Sequence, residues 1–265
     1  MALFPEHHGS PAPRPSATAW ILLVLFIIIL VIGFFIAIFL LSYSDGGGVT
    51  VVRMEGTLVT GDKSGDDFSA SEQVGRELRD AADDPMVEAI VLRVNSPGGT
   101  PAAAQEIIRD LDYAKSKKPV VVSMGDMATS AAYYVCAHAD KIYADPDTFT
   151  AGVGVMWTFP DISRWMSKEG YNVSIVKSGS KKDMGSSSRP LTEDEFSYAQ
   201  GIVDASFEEF ISDVLVQRQI ARADIEDGRV IRGADAVRIN IVDEIGNLND
   251  AIDGAKALAG SRGFL

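Results

Sequence analysis

A single cysteine, Cys136, stands in a chain of 265 residues. It can close no intrachain disulfide, and one thiol is too few for a cysteine-based zinc site. Histidine is nearly as scarce, with only His7, His8 and His138. Basic residues are outnumbered, 24 Lys and Arg against 37 Asp and Glu, for a net charge of −13. A surface of that sign repels a polyanion, which excludes nucleic acid as a partner. The phosphate-cradling patterns Gly-x-x-x-x-Gly-Lys-Ser/Thr and Gly-x-Gly-x-x-Gly are both missing, and Gly152-Val153-Gly154 is too short to replace them.

Charge of either sign is absent from residues 19–43. The apolar run from Trp20 to Leu41 is long enough to cross a bilayer of about 30 Å as a helix. Trp20 and Tyr43 fall at its two ends, where interfacial aromatics belong. A secretory signal has a shorter apolar region, of roughly 7–15 residues, and a small-x-small cleavage site. Neither fits, so a retained anchor is expected. Arg14 precedes the run and Asp45 is the first charge after it, which puts the main domain on the extracytoplasmic side by the positive-inside rule. Residues 1–18, rich in proline, alanine and serine, read as a disordered tail. Residues 44–48, Ser-Asp-Gly-Gly-Gly, read as a flexible linker. Residues 49–265 are left as the soluble domain.

That domain alternates strand and helix signals, which argues for a largely parallel sheet with helices outside it. Strands are expected at residues 49–54, 87–94, 120–124, 141–144, 173–177 and 241–244. Ser69, with Glu72 three residues on, predicts a capped helix with Val74, Leu78 and Ala82 on one face. Residues 100–117 predict an amphipathic helix that turns Ala104, Ile107, Ile108, Leu111 and Ala114 inward. A short helix is expected over residues 162–169. Thr192-x-x-Glu195 is a capping box that opens a long helix to about residue 222.

Two joints carry the chemistry. The run Val120 to Met124 predicts a doubly buried strand, with a turn at Gly125-Asp126 and a helix over residues 127–139. Thr129 and Ser130 fall near that strand-to-helix joint, where amides are free and the helix dipole is positive. A serine there can be a nucleophile or a plain helix cap. Asn95-Ser-Pro-Gly-Gly99 follows the preceding strand. Its two glycines let backbone amides approach a substrate carbonyl, though an ordinary turn has the same look. A nucleophilic Ser130 needs a base. His138 lies eight residues along the expected helix, a rise of about 12 Å, and His7 and His8 precede the apolar run. A desolvated lysine is the remaining option. Lys177, Lys181 and Lys182 cluster in one loop, where a solvated surface is the ordinary reading. Cys136, inside the helix, is the weaker nucleophile candidate.

Four motifs in order change the balance. Asn95 to Gly99, Ser123-Met-Gly-x-x-Ala-x-Ser-x-x-Tyr-Tyr134, Lys177-Ser-Gly-x-x-Lys-Asp183 and Asp227-Gly-Arg-Val230 together resemble the signal peptide peptidase A family, the S49 serine peptidases of the ClpP/crotonase superfamily, in its short, single-repeat form. The resemblance covers nearly all of residues 49–255. It implies an α/β fold of repeated ββα units with outer helices, behind one transmembrane helix. It implies Ser130 as nucleophile, Lys182 as general base rather than Lys177 or Lys181, and an oxyanion hole from the amides of Gly98 and Ala131 with Gly99 beside them. It implies peptide substrates at the membrane, signal peptide remnants among them, and no metal or organic cofactor. It also implies a homo-oligomer, an octameric ring in which serine and lysine of one site come from neighbouring protomers. Two positions depart from the pattern. Ala131-Ala132 replaces the usual Gly-Gly, and Gly152 replaces a serine that orients the lysine, leaving Thr150, a water or nothing in that role. Two other readings of the same fold are a crotonase-like enzyme acting on acyl-CoA and an inactive membrane scaffold.

Overall fold

The computed structural model describes residues 17–44 and 48–261, and the chain divides into two units, one up to Gly47 and one from Gly48. Most of the proline-rich tail, Arg14 with it, and the centre of the glycine linker lie outside the described residues. In the first unit α1 runs Ala17–Ser44. Its stretch Trp20–Ile38 has a mean hydropathy of 3.6, and the helix is long and apolar enough to cross a membrane.

The second unit is a mixed α/β body. Its elements, in order, are β1 (Gly48–Glu55), β2 (Thr57–Val59), β3 (Phe68–Ala70), α2 (Ser71–Asp83), β4 (Val87–Ser96), α3 (Pro101–Lys115), β5 (Val120–Thr129) and α4 (Ala131–Ala137). Then come β6 (Lys141–Ala144), β7 (Phe149–Ala151), α5 (Ser163–Lys168), α6 (Glu193–Gln217), β8 (Val230–Arg232), α7 (Gly233–Ala236), β9 (Glu244–Ile245) and α8 (Leu248–Ser261). A seven-stranded sheet has the order β1-β4-β5-β6-β9, with β7 joined to β5 and β8 to β7. Every pair in it is parallel except β7 with β8. A second, two-stranded parallel sheet joins β2 to β3.

The central strands are buried on both faces, which is why they read as continuous apolar runs. Ile90, Leu92, Val120 and Val122 point into a core shared with α2, α3 and α4. Ala89, Val91 and Val121 point the other way, against Ala251, Ala255 and Ala259 of α8. Three alanines at a spacing of four make a smooth stripe on which the sheet can lie close. In α3 the side chain of Thr100 caps the first turn, Pro101 takes the first helical position, and the five residues expected inward are all buried. In α6 the capping box of Thr192 and Glu195 is fully formed.

Four expectations need correction. Ser69 does not cap α2. Ala70 occupies that position, and the Ser69 hydroxyl instead donates to Glu55 O at 2.7 Å and accepts from Glu55 N–H at 2.8 Å, pinning β3 to β1. The chain does not turn at Gly125-Asp126, because β5 runs on to Thr129. Its register against β4 slips there, from Val94 opposite Met124 to Ser96 opposite Ala128. The extra residues form a bulge held from two sides: Asn95 Oδ1 accepts from Met127 N–H at 3.2 Å, and Thr148 Oγ1 donates to Gly125 O at 2.7 Å. Residues 173–177 form no strand: the run is rich in β-branched residues, but no strand among the described residues pairs with it. The last strand pairs at Glu244–Ile245 rather than over residues 241–244.

Candidate active site

The bulge has a consequence for Ser130. Before it, β5 pairs with β6; beyond it, Met127–Thr129 pairs with β7 instead. The strand thus ends at a partner change, and α4 starts one residue later. Ser130 lies between them with φ 55° and ψ −129°. A residue with a Cβ rarely adopts positive φ, and such strain gathers at functional sites. The backbone enforces it: Ser130 N–H donates to Ala151 O at 2.8 Å, and Ser130 O accepts from Tyr134 N–H at 3.0 Å.

Each residue of the Asn-Ser-Pro-Gly-Gly run has a distinct task. Asn95 holds the bulge. Ser96, wholly buried, accepts from Gly98 N–H at 3.1 Å. Pro97 O accepts from Thr129 Oγ1 at 3.0 Å, tying this turn to the residue before Ser130. Gly98 has φ 101°, and a Cβ there would lie 2.8 Å from Ser130 Cβ and 3.0 Å from Ala131 N. Only hydrogen fits. Gly99 is pressed on Leu58, whose N–H donates to Gly98 O and whose carbonyl accepts from Thr100 N–H, both at 2.9 Å. Among the described residues, the amides of Gly99 and Ala131 meet no acceptor, the latter because it opens a helix.

Gly98, Gly99, Ser130 and Ala131 line one cavity of about 570 Å³. Its farther wall was not legible beforehand. Tyr134 of α4 and Phe210 of α6 stack at 4.5 Å, Val155 and Met156 adjoin them, and Glu209 and Gln105 stand at the rim. No local pattern marks residues that meet only through tertiary packing. Gly152 is also a lining residue, and a Cβ on it would lie 3.4 Å from Ser130 N. Thr150 cannot serve the lysine: it is wholly buried and its hydroxyl donates to Ala128 O at 2.9 Å.

Lys182 is not in the cavity lining, and its side chain is exposed. It differs sharply from its neighbours. Lys177 is bonded to Asp183 at 2.5 Å and to Ser180 O at 2.8 Å, while Lys181 is paired with Asp194 and lies over the ring of Tyr198. The Lys182 ammonium meets no acceptor among the described residues. Arg189 secures the same loop, joining Asp183 (2.8 Å) to Glu195 (2.7 Å) at the start of α6. The Arg189 guanidinium, then Lys177, holds the Asp183 carboxyl well below its usual range. Arg189, then the Thr192 amide, holds Glu195 down to about 2.

The remaining candidates are structural. Cys136 is wholly buried, and desolvation pushes its thiol far up. His138 follows a helix shorter than expected and caps its C-terminus. Its Nδ1 faces Asp112 and its Nε2 faces Asp213, each at 3.2 Å, in a buried position outside the cavity lining.

A strained serine at a strand end, free amides beside it and a cavity in front are the parts that acyl transfer uses. The family model of peptidase family S49 matches residues 112–262, and the chain belongs to that family. Protease 4 of Haemophilus influenzae is 35% identical over 83% of this chain and 36% of its own length. "Putative signal peptide peptidase SppA" of Enterococcus faecium is 33% identical over 68% of this chain and 54% of its own. The chloroplastic serine protease SPPA of Arabidopsis thaliana is 27% identical over 80% and 31%. The chain therefore spans between about a third and just over half the length of these relatives.

Proposed function

We propose that the protein is a membrane-anchored serine endopeptidase whose nucleophile is Ser130 and whose general base is Lys182, the two supplied by neighbouring protomers of a homo-oligomer. The observation that carries this reading is a strained, cavity-lining Ser130, together with Lys182 as the one lysine of the 177–183 loop that meets no acceptor among the described residues. The neighbouring Lys177 and Lys181 already have carboxylate partners, which supports Lys182 as the base. The S49 family match and relatives named as proteases support the reaction class. The parallel sheet covered on both faces supports a ClpP/crotonase type of fold.

In this reading, seating the loop of residues 177–189 over another copy's cavity strips water from the Lys182 ammonium and favours the neutral amine. The amine takes the Ser130 proton, and Oγ attacks a peptide carbonyl carbon. Ala131 N–H and one amide of the Gly98-Gly99 pair hold the oxyanion; the Gly99 amide is open, whereas that of Gly98 must first leave Ser96 Oγ. The C–N bond breaks as the Lys182 ammonium returns a proton to the leaving amine. Water, deprotonated by the same lysine, then releases the acyl group. Signal peptide remnants and other short apolar peptides near the membrane are the proposed substrates. The helix Ala17–Ser44 is the proposed single anchor, with the catalytic domain on the extracytoplasmic side.

The test is complementation. Ser130→Ala and Lys182→Ala should each lower peptide cleavage by about a thousandfold or more, while Lys181→Ala leaves it largely intact. Co-assembled Ser130→Ala and Lys182→Ala chains should recover part of the lost activity. Full activity in either single variant rejects the dyad. No recovery on mixing rejects its shared origin.

A further inference from the structure

The cavity in front of Ser130 has an uneven charge. Among the described residues, Glu209 is the only charged side chain lining it, and no lysine or arginine does so. Gln105 of α3 donates to Glu209 Oε1 at 2.9 Å, which bridges α3 and α6 and fixes the carboxylate. Among the described residues Oε2 has no donor. Behind this carboxylate lie apolar surfaces held rigidly. Tyr134 and Phe210 are stacked, and the Tyr134 hydroxyl donates to Asp213 at 2.8 Å. An adjoining hollow of about 310 Å³ shares Gly154, Val155 and Gly228 with the cavity, and among the described residues it too has no basic lining residue. Of its acids, Glu226 and Asp227 are paired with Arg222 and Arg229, whereas Asp204 accepts only from Gln200.

We infer that Glu209 is a specificity-determining residue: one subsite beside Ser130 selects a substrate side chain with an apolar stem and a cationic head, lysine or arginine, and repels an acidic one. The inference rests on the peptidase reading and names a substrate class within it. A long aliphatic stem can lie on the Tyr134–Phe210 wall while its charge reaches the free oxygen of Glu209, the division of labour these side chains adopt at apolar surfaces. The alternative partner for Glu209 is an incoming Lys182. That pairing opposes the chemistry, because a carboxylate beside an amine keeps it protonated. Glu209 is itself exposed. Attraction for a cation and repulsion of an anion are therefore each worth about threefold, and together, multiplied, roughly tenfold between lysine and glutamate peptides.

The experiment uses the full chain in detergent micelles and peptides that differ at one position, Lys, Leu or Glu, scanned on both sides of the cleaved bond. Wild type should favour Lys over Glu in kcat/KM by about tenfold at one position. Glu209→Gln should bring that ratio close to one, Glu209→Asp should keep part of it, and Glu209→Lys should reverse it. An unchanged ratio in Glu209→Gln overturns the inference. So does a loss of the same size for every peptide, which would place Glu209 on the catalytic lysine instead. A binding arm separates the two levels of the argument. Ser130→Ala, with and without Glu209→Gln, is titrated with the same fluorescent peptides. A lysine preference there, without turnover by wild type, keeps the subsite and rejects the peptidase. Turnover without any preference does the reverse.

Discussion

Between Val87 and Ala151 the chain is spent on burial: Ile90, Leu92, Val120, Val122 and Ile142 are wholly inaccessible. Between Met156 and Val176 the composition is as apolar and the outcome opposite. Met156 is 89% exposed, Trp165 56%, Tyr171 62% and Val176 100%. The first region holds Ser130 and the amides beside it; the second leads directly into the loop of Lys182. Isolated soluble domains keep such patches small, so this exposed apolar surface supports the proposed homo-oligomer. The proposed nucleophile is thus supported by the protomer's own core. The proposed base stands beside a segment whose apolar side chains the protomer leaves uncovered, which is the physical content of the proposed shared site.

The sharpest way to break the comparison is at Gly98. Gly98→Ala puts a methyl 2.8 Å from both Ser130 Cβ and Thr129 O at a backbone φ of 101°. Strain of this kind costs about 1–3 kcal/mol, and displacing the oxyanion amides should lower kcat by about 100- to 1,000-fold. Peptide kinetics and thermal melting measure the two. Normal kcat in this variant would mean that the turn is not part of the catalytic geometry.

Next is a pair of substitutions, one in each region. Leu92→Ala, in the core, should cost about 2–5 kcal/mol and lower the melting temperature without changing the oligomer at low temperature. Val176→Asp should leave the secondary structure and its melting nearly unchanged, reduce the sedimenting mass, and abolish cleavage along with assembly. If Val176→Asp remains assembled and active, the exposed arm has another use and the two-protomer site loses its structural basis.

The contrast also explains what was legible in the sequence. The strands from β4 onward in the core, the inward face of α3 and the capping box of α6 follow from periodicity and from side-chain hydrogen bonds within a few residues. Ser130 was placed at its joint for the same local reasons. The bulge was not, because Gly125-Asp126 carries the same residue types as a turn, and only pairing with Asn95 and Thr148 distinguishes them. Residues 173–177 are rich in β-branched side chains, as strands are, but no strand among the described residues lies beside them. Tyr134, Phe210 and Glu209 become one wall only when α6 crosses α4, and no spacing encodes that. The departure at Gly152 was visible, but its position against Ser130 N, and the removal of Thr150 from candidacy, needed the fold.

The smallest effect probes how the arm is tethered at its far end. Asp183, Arg189 and Glu195 fasten the Lys182 loop to α6, and the carboxylates are almost covered, at 9% and 4% exposure. Glu195 is held down to about 2 from an ordinary 4.5, by Arg189 first and the Thr192 amide second. Asp183 is depressed further by Arg189 and Lys177. Groups with depressed folded values stabilise the fold fully above their unfolded values and lose that contribution as pH falls through the folded ones. The tether should therefore be intact at pH 6 and weaken progressively from about pH 4.5 toward pH 2. Hydrogen exchange across residues 177–195 should rise in that window while β4 and β5 stay protected. Arg189→Leu should raise exchange in the same loop at neutral pH, because it removes the cation both carboxylates share. Equal acid sensitivity in the loop and the central strands would mean that the arm is held by the core after all, and that the two regions are one.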